Sequence, residues 1–293
     1  MRLGVHVSIA GGLRESLARA RRLSCSAMQI FSRSPRGGSA PAFREEELAH
    51  VHAALVEEEI RPLAVHGPYI INLASPDLVT YGRSVAMYRE EYARCVQLRA
   101  HYLVTHVGSH RGQGEDAGIR RVAEALNRAL DGREPSVTIL LENTAGAGQG
   151  LGFSFEQLAA IRDQVERREA VGICLDTAHL FAAGFEIHAE EGLERTVQQF
   201  DRVIGLDQLK LIHLNDSKSA FGSRVDRHWE IGQGQIGLEA MRRIVNHPAF
   251  REVPMILETP KKTEEDDRRN LATVRQLLAL GSAGGAVGRG SLG

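Results

Sequence analysis

Eight short apolar runs recur along this chain, and most are separated by a longer stretch with helical spacing. They fall at residues 3–7, 27–31, 62–65, 102–105, 137–141, 171–175, 209–212 and 254–257. Runs this short and this apolar suit strands buried on both faces of a parallel sheet. Between them, 45–59 places Leu48, Val51, His52 and Leu55 near one face. Segments 85–98, 119–130, 154–167, 193–204, 238–245 and 264–280 carry apolar residues at a similar period near 3.6. The segment at 154 opens with Ser154-Phe-Glu-Gln157, a helix-capping signature. Strands alternating with helices imply right-handed crossovers. Eight such units favour a closed (β/α)8 TIM barrel of the α/β class over an open sheet. The 293 residues fit one such barrel as a single domain. We expect that domain over 1–280, with 281–293 a flexible Gly/Ser-rich tail without periodicity.

Composition narrows the function. Apolar residues make up 43% and charged residues 25%, which excludes a disordered or collagen-like chain. Cys25, Cys95 and Cys174 are odd in number, far apart and form no CxxC pair. A disulfide framework or thiolate zinc site is therefore not expected, and a reducing cytoplasm is the natural compartment. No apolar run approaches the roughly 20 residues that span a bilayer, so no membrane partner is expected. The net charge of −1 removes the cheapest argument for nucleic-acid binding but leaves room for a basic rim around an acidic site.

The chemistry lies at the C-terminal end of each run. The third is followed by His66, the fourth by His106, the fifth by Glu142, the sixth by Asp176, the seventh by His213 and the eighth by Glu258. In a barrel the C-terminal strand ends converge on one face, where active sites sit. One strand-end His is more often a structural hydrogen bonder than a ligand; six coincidences in a row are not explained that way. Asp176-Thr-Ala-His179 sets an acid and an imidazole one helical turn apart, and Asp226-Arg-His228 sets another such pair two residues apart. Five His, two Asp and two Glu result. Such a cluster needs compensating cations. Imidazole with carboxylate and no thiolate suits Zn²⁺, Mn²⁺ or Fe²⁺. Nine ligands exceed one tetrahedral ion and suit two or three.

With these residues in place, the chain resembles endonuclease IV, the apurinic/apyrimidinic endonuclease family with a TIM-barrel fold. The resemblance rests on His66-Gly-Pro-Tyr-Ile-Ile-Asn-Leu73, His106-Val-Gly-Ser-His110, Leu141-Glu-Asn-Thr-Ala-Gly146 and Cys174-Leu-Asp-Thr-Ala-His179. It continues through His213-Leu-Asn-Asp-Ser-Lys218, Phe221-Gly-Ser-Arg-Val-Asp-Arg-His228 and Ile256-Leu-Glu-Thr259. The resemblance implies three divalent ions, foremost Zn²⁺ with Mn²⁺ accepted. His66, His106 and Glu142 would hold the first. Glu142, Asp176, His213 and Glu258 would hold the second, with Glu142 as the bridge. His179, Asp226 and His228 would hold the third. It further implies hydrolysis of the phosphodiester 5′ to an abasic site in double-stranded DNA, trimming of blocked 3′ ends, and a monomer. Glu142 and Glu258 would help to position the nucleophile.

Tyr69 and its neighbour Ile70 match a position that wedges into DNA, and Arg36 fits a DNA-penetrating arginine. One departure stands out: the family usually carries a Trp soon after that arginine, whereas this chain has Gly37-Gly38-Ser39. Lys218, Arg224 and Arg227 flank the third group as candidates for phosphate contacts, and His6, His110 and Asn215 as groups that orient ligands. The main rival is a one-metal sugar isomerase or epimerase on the same barrel, for which Glu142, Asp176, His213 and Glu258 would suffice. The five remaining ligands have no evident use there. A damage binder without chemistry, or a metal store, would not need an intact ligand set and a wedge loop together.

Overall fold

The computed structural model describes residues 1–38, 40–132 and 135–284. Eight parallel strands close into a barrel: β1 (Leu3–His6), β2 (Ala27–Phe31), β3 (Leu63–His66), β4 (Tyr102–His106), β5 (Thr138–Glu142), β6 (Val171–Asp176), β7 (Leu209–His213) and β10 (Met255–Leu257). The ring runs in chain order, and β10 closes it against β1. The helices that return the chain are α1 (Leu13–Arg22), α2 (Glu45–Glu57), α3 (Leu78–Leu98), α4 (Glu115–Leu130), α5 (Phe155–Asp163), α6 (Thr177–Ala183), α7 (Glu190–Val203), α8 (Leu238–Asn246) and α9 (Glu264–Gly284). A two-stranded antiparallel ribbon, β8 (Asp216–Ser217) with β9 (His228–Trp229), stands on the rim.

Two periodicities build the barrel. Outward-facing strand residues such as Val5, Met28, Ile30, Leu103 and Ile139 pack under the apolar helix faces. Inward-facing residues form a separate cluster, one from each of seven strands: Ala27, Ala64, Val104, Leu140, Cys174, Leu211 and Ile256. The eighth strand contributes Gly4 to this layer. Side chains on a strand repeat every second residue. The next inward positions are therefore His6, Gln29, His66, His106, Glu142, Asp176, His213 and Glu258. Thus a dry plug sits beneath a wholly polar layer at the C-terminal mouth.

Three differences from the sequence-based expectation have simple causes. Helix α1 was not expected, because its buried face holds Leu13, Ser16, Leu17 and Ala20, a weak apolar signal. Helix α3 starts seven residues earlier than its apolar stripe, capped by Asp77, whose side chain accepts from Thr80 N–H. Helix α9 continues to Gly284, so a composition change at 281 does not end it. The remaining residues of the expected tail, 285–293, lie outside the described residues.

Gly4 shows how tight the plug is. A Cβ there would lie 1.8 Å from the carbonyl oxygen of Ala27 on the adjacent strand. Gly4→Ala must therefore push β1 from β2, and overpacking of this kind costs about 1–3 kcal/mol or more. We expect a Tm several degrees lower in thermal denaturation followed by circular dichroism. An unchanged Tm would mean that the strands part without cost.

Candidate metal centre

Six ligand candidates stand at the ends of separate strands, His179 on α6, and Asp226 and His228 on the rim ribbon. His106 and Glu142 are cross-strand partners on β4 and β5, and Asp176 and His213 are partners on β6 and β7. Asp176 also caps α6, its Oδ1 accepting from His179 N–H at 2.8 Å, which aims His179 back at the mouth. The ribbon delivers His228. It is anchored by buried Asp216, whose carboxylate accepts N–H groups of Ser217, Gly234, Ile236 and Gly237 at 2.8–3.3 Å.

The nine residues converge. His66, His106 and Glu142 form one group with ligand atoms close enough to share an ion. Glu142, Asp176, His213 and Glu258 form a second, and Asp176, His179 and His228 a third. The third differs from the expected grouping, because Asp176 Oδ2 approaches His228 Nε2 at 3.4 Å. Asp226 stands on its solvent side, 3.2 Å from His179 Nε2 and 3.3 Å from His228 Nε2. Glu142 has no exposed side-chain surface and divides its oxygens. Oε2 faces His66 Nε2 at 3.1 Å and His106 Nε2 at 3.0 Å, while Oε1 faces His213 Nδ1 at 3.0 Å.

Four of the imidazoles have their other nitrogen engaged. His66 Nδ1 lies 2.8 Å from the Gly67 carbonyl, and His179 Nδ1 lies 2.8 Å from the Asn143 carbonyl. His228 Nδ1 lies 3.2 Å from the Glu258 carbonyl, and His213 Nε2 lies 2.9 Å from the Gln29 amide oxygen. A carbonyl on one nitrogen fixes the proton there and leaves the opposite lone pair for a cation. This is the arrangement that metal-binding histidines need, so the donor set fits divalent ions.

The electrostatics agree. Burial works against every charge here. Even so, His106 and His213 hold the Glu142 carboxyl well below the usual range, and His213, His6 and His66 do the same for Glu258. Burial lowers His179, but Asp176, Asp226 and Glu142 outweigh it and raise the ring to about 10. Burial likewise opposes charge on His213, yet Cys174, Glu258 and Glu142 raise it well above its ordinary value. The Cys174 thiol is itself pushed up to about 12 by burial, so the two carboxylates are the anions that act on His213. Protons on these rings balance the carboxylates where cations would otherwise do so.

Above the mouth lies an open cavity of about 400 Å³ lined by His66, Tyr69, His106, His179, Asp226, His228 and Glu258. The Tyr69 ring stands 5.6 Å from that of His66 and is 60% exposed; Ile70 is 49% exposed. The Tyr69 N–H donates to the Pro35 carbonyl, tying this loop to the Arg36 loop. Gly37 then sits on Ile70: a Cβ there would lie 2.3 Å from Ile70 Cδ1. A close glycine contact thus joins the two loops just after Arg36. Arg36 is exposed, but its neighbour Arg33 is buried against Glu91 and fastens the loop to α3. Lys218 lies over the Trp229 ring at 4.2 Å and Arg224 over Phe153 at 4.9 Å; Arg227 is exposed beside them.

The structure separates the three expected orienting groups. His6 Nδ1 lies 2.9 Å from Glu258 Oε1, and Asn215 Nδ2 donates to Asp176 Oδ2 at 2.6 Å. His110 instead accepts from Gly114 N–H at 3.2 Å before α4, and among the described residues its ring bonds to none of the nine. Sequence reasoning missed Asn143, whose Oδ1 accepts from Asp176 N–H at 2.6 Å, and Gln29. The strand period alone would have found Gln29, two residues beyond inward-facing Ala27.

A profile of the xylose isomerase-like TIM barrels matches residues 17–279, which defines the class. A protein of Chloroflexus aggregans named probable endonuclease 4 is 44% identical over 284 residues, 96% of this chain and 99% of that protein. The crystal structure of endonuclease IV from Thermus thermophilus matches with a TM-score of 0.85 at 34% identity, covering 96% of this chain and 100% of that one. A D-tagatose 3-epimerase-like protein shares the barrel with a TM-score of 0.72 at 18% identity, covering 98% of this chain and 100% of that one, a likeness of fold alone. Within its class, the chain belongs to the endonuclease IV family.

The raised histidines have a pH consequence. A proton bound more tightly in the folded state stabilises it fully below the unfolded value near 6.5, and that contribution is lost as pH rises through about 10. Chelated protein should therefore lose Tm between pH 7 and 10, and ion affinity should rise over that range as cations displace these protons. Calorimetry with and without chelator checks this; a pH-independent Tm in the chelated protein would contradict it.

Proposed function

We propose that this chain is a DNA-repair hydrolase that cuts the phosphodiester on the 5′ side of abasic sites in double-stranded DNA, leaving a 3′-hydroxyl and a 5′-deoxyribose phosphate. It also clears blocked 3′ ends. The observation that carries this reading is Glu142, whose two oxygens face different ligand groups inside a family of endonucleases. The mouth would take three divalent ions, foremost Zn²⁺ with Mn²⁺ accepted. His66, His106 and Glu142 would hold one, Glu142, Asp176, His213 and Glu258 a second, and His179, Asp226 and His228 a third, with Asp176 at its edge.

When bound, such ions supply Lewis acidity toward phosphoryl oxygens and lower the pKa of water to about 7. The protein's own groups do the rest. Glu142 and Glu258, held in place by the imidazoles around them, position the attacking water. Asp226 would complete the third group from its solvent side. Tyr69 and Ile70 fill the gap left by the missing base, as wedges do in the minor groove. Arg36 enters from the facing loop. Lys218, Arg224 and Arg227 hold backbone phosphates, two of them already ordered on aromatic faces. All nine ligand candidates come from one chain, which supports a monomer as the working unit, and three buried free thiols suit the cytoplasm. A sugar epimerase has in its favour the shared barrel and the quartet Glu142, Asp176, His213 and Glu258, but would leave the two outer groups unused.

Glu142→Gln should cost the most, because it removes the bridge between two groups. We expect loss of at least one ion per chain by elemental analysis and a fall in abasic-site nicking of about 100-fold or more. A fully active Glu142→Gln enzyme would sink the multinuclear reading. Tyr69→Ala should leave metal content unchanged and reduce the preference for abasic over intact duplex by about 10–100-fold, the usual worth of one stacking contact. Unaltered preference would remove Tyr69 from the wedge.

A further inference from the structure

Gln29 lies wholly buried on β2, at the one inward position of the polar layer that bears neither charge nor imidazole. Its amide group meets both sides of the second ligand group. Oε1 lies 2.9 Å from His213 Nε2, and Nε2 lies 2.6 Å from Glu258 Oε1. His6 Nδ1 approaches the same Glu258 oxygen at 2.9 Å, and lies 2.9 Å from the Gln29 nitrogen.

These contacts orient the Gln29 amide. A carboxylate that holds a cation can only accept, so with an ion in place the amide NH2 faces Glu258. The amide oxygen is then turned to His213, and an amide oxygen also only accepts. His213 must therefore carry its proton on Nε2. Its Nδ1, 3.0 Å from Glu142 Oε1 and 3.2 Å from Glu258 Oε2, is the nitrogen left to face an ion. The same NH2 occupies Oε1 of Glu258 and leaves Oε2 on the ion-facing side. One uncharged side chain thus sets both a tautomer and a carboxylate orientation.

We propose that Gln29 is a positioning residue that presets the group Glu142, Asp176, His213 and Glu258 for a divalent cation. The proposal rests on the metal centre argued above and extends it to a residue that touches neither ion nor substrate. A side chain of similar length without hydrogen bonds would let the His213 ring turn and the Glu258 carboxylate rotate. Gln29→Glu separates the two functions, because it keeps an acceptor for His213 but sets a second carboxylate against Glu258.

Cobalt(II) added to chelated protein is the probe. Gln29→Met should hold one cobalt per chain about 10–100-fold more weakly than wild type, the usual effect of removing a partner behind a ligand. The remaining ions should bind as before, and the visible cobalt spectrum should change for the weakened ion alone. Gln29→Glu should weaken the same ion. Cobalt stoichiometry, affinity and spectrum all unchanged in both variants would overturn the proposal, whatever happens to nicking. A wild-type measurement stands beside this in case the variants do not fold. In the zinc-loaded protein, nitrogen-15 NMR should find the His213 proton on Nε2; a proton on Nδ1 would overturn it equally. Wild type that binds no cobalt would defeat the metal centre itself, and this proposal with it.

Discussion

A fully buried carboxylate among four imidazoles is the interaction around which this molecule is arranged. Glu142 has no exposed side-chain surface, and an ionised group so placed costs several kcal/mol unless it is compensated. His66, His106, His179 and His213 supply that compensation, each within 3.5 Å of one of its oxygens. Oxygens behind three of them set their orientation: the Gly67 carbonyl for His66, the Asn143 carbonyl for His179 and the Gln29 amide for His213. The centre is thus a nested structure: carboxylate, imidazoles, then the backbone and amides that aim the imidazoles. Protons held on His179 and His213 contribute to that balance, and divalent cations can take their place.

The barrel exists to hold that nest. Strand alternation places an apolar residue, or Gly4, and then a polar one at successive inward positions on every strand. The dry layer below seals the mouth from the barrel's far end, and the polar layer above receives one side chain from each strand. Residues more than 70 apart in sequence, such as His66 and Glu142, thereby meet without any long loop. Loops add what strands cannot: Asp226 and His228 from the ribbon region, and Tyr69 and Arg36 from two rim loops joined by the Gly37–Ile70 contact.

Much of this was legible in the chain itself. Apolar runs marked all eight strands, although most runs end one residue before the observed strand, because the last strand residue is a polar ligand that reads as an end. Strand-end chemistry marked six of the nine ligand candidates, since acids and imidazoles after apolar runs are conspicuous, and the spacings Asp176-Thr-Ala-His179 and Asp226-Arg-His228 marked the other three. What escaped notice was uncharged or long-range. Gln29 and Asn143 carry no charge, and nothing local marks an amide as a hinge of the site. The pairing of Arg33 with Glu91 joins residues 58 apart, so an arginine that sequence places beside Arg36 proves structural. Asp176 joins two groups only because α6 folds back over it, a geometry the spacing Asp-Thr-Ala-His leaves open.

The most direct test of the account combines substrate and ions in one sample. Purified wild-type protein is given a duplex oligonucleotide with a single synthetic abasic site, and its metal content is determined in parallel. The account predicts one nick on the 5′ side of the lesion with a 3′-hydroxyl terminus, two to three ions per chain, and loss of cutting on strong chelation. About one ion per chain, an intact oligonucleotide and interconversion of a ketose pair would contradict it.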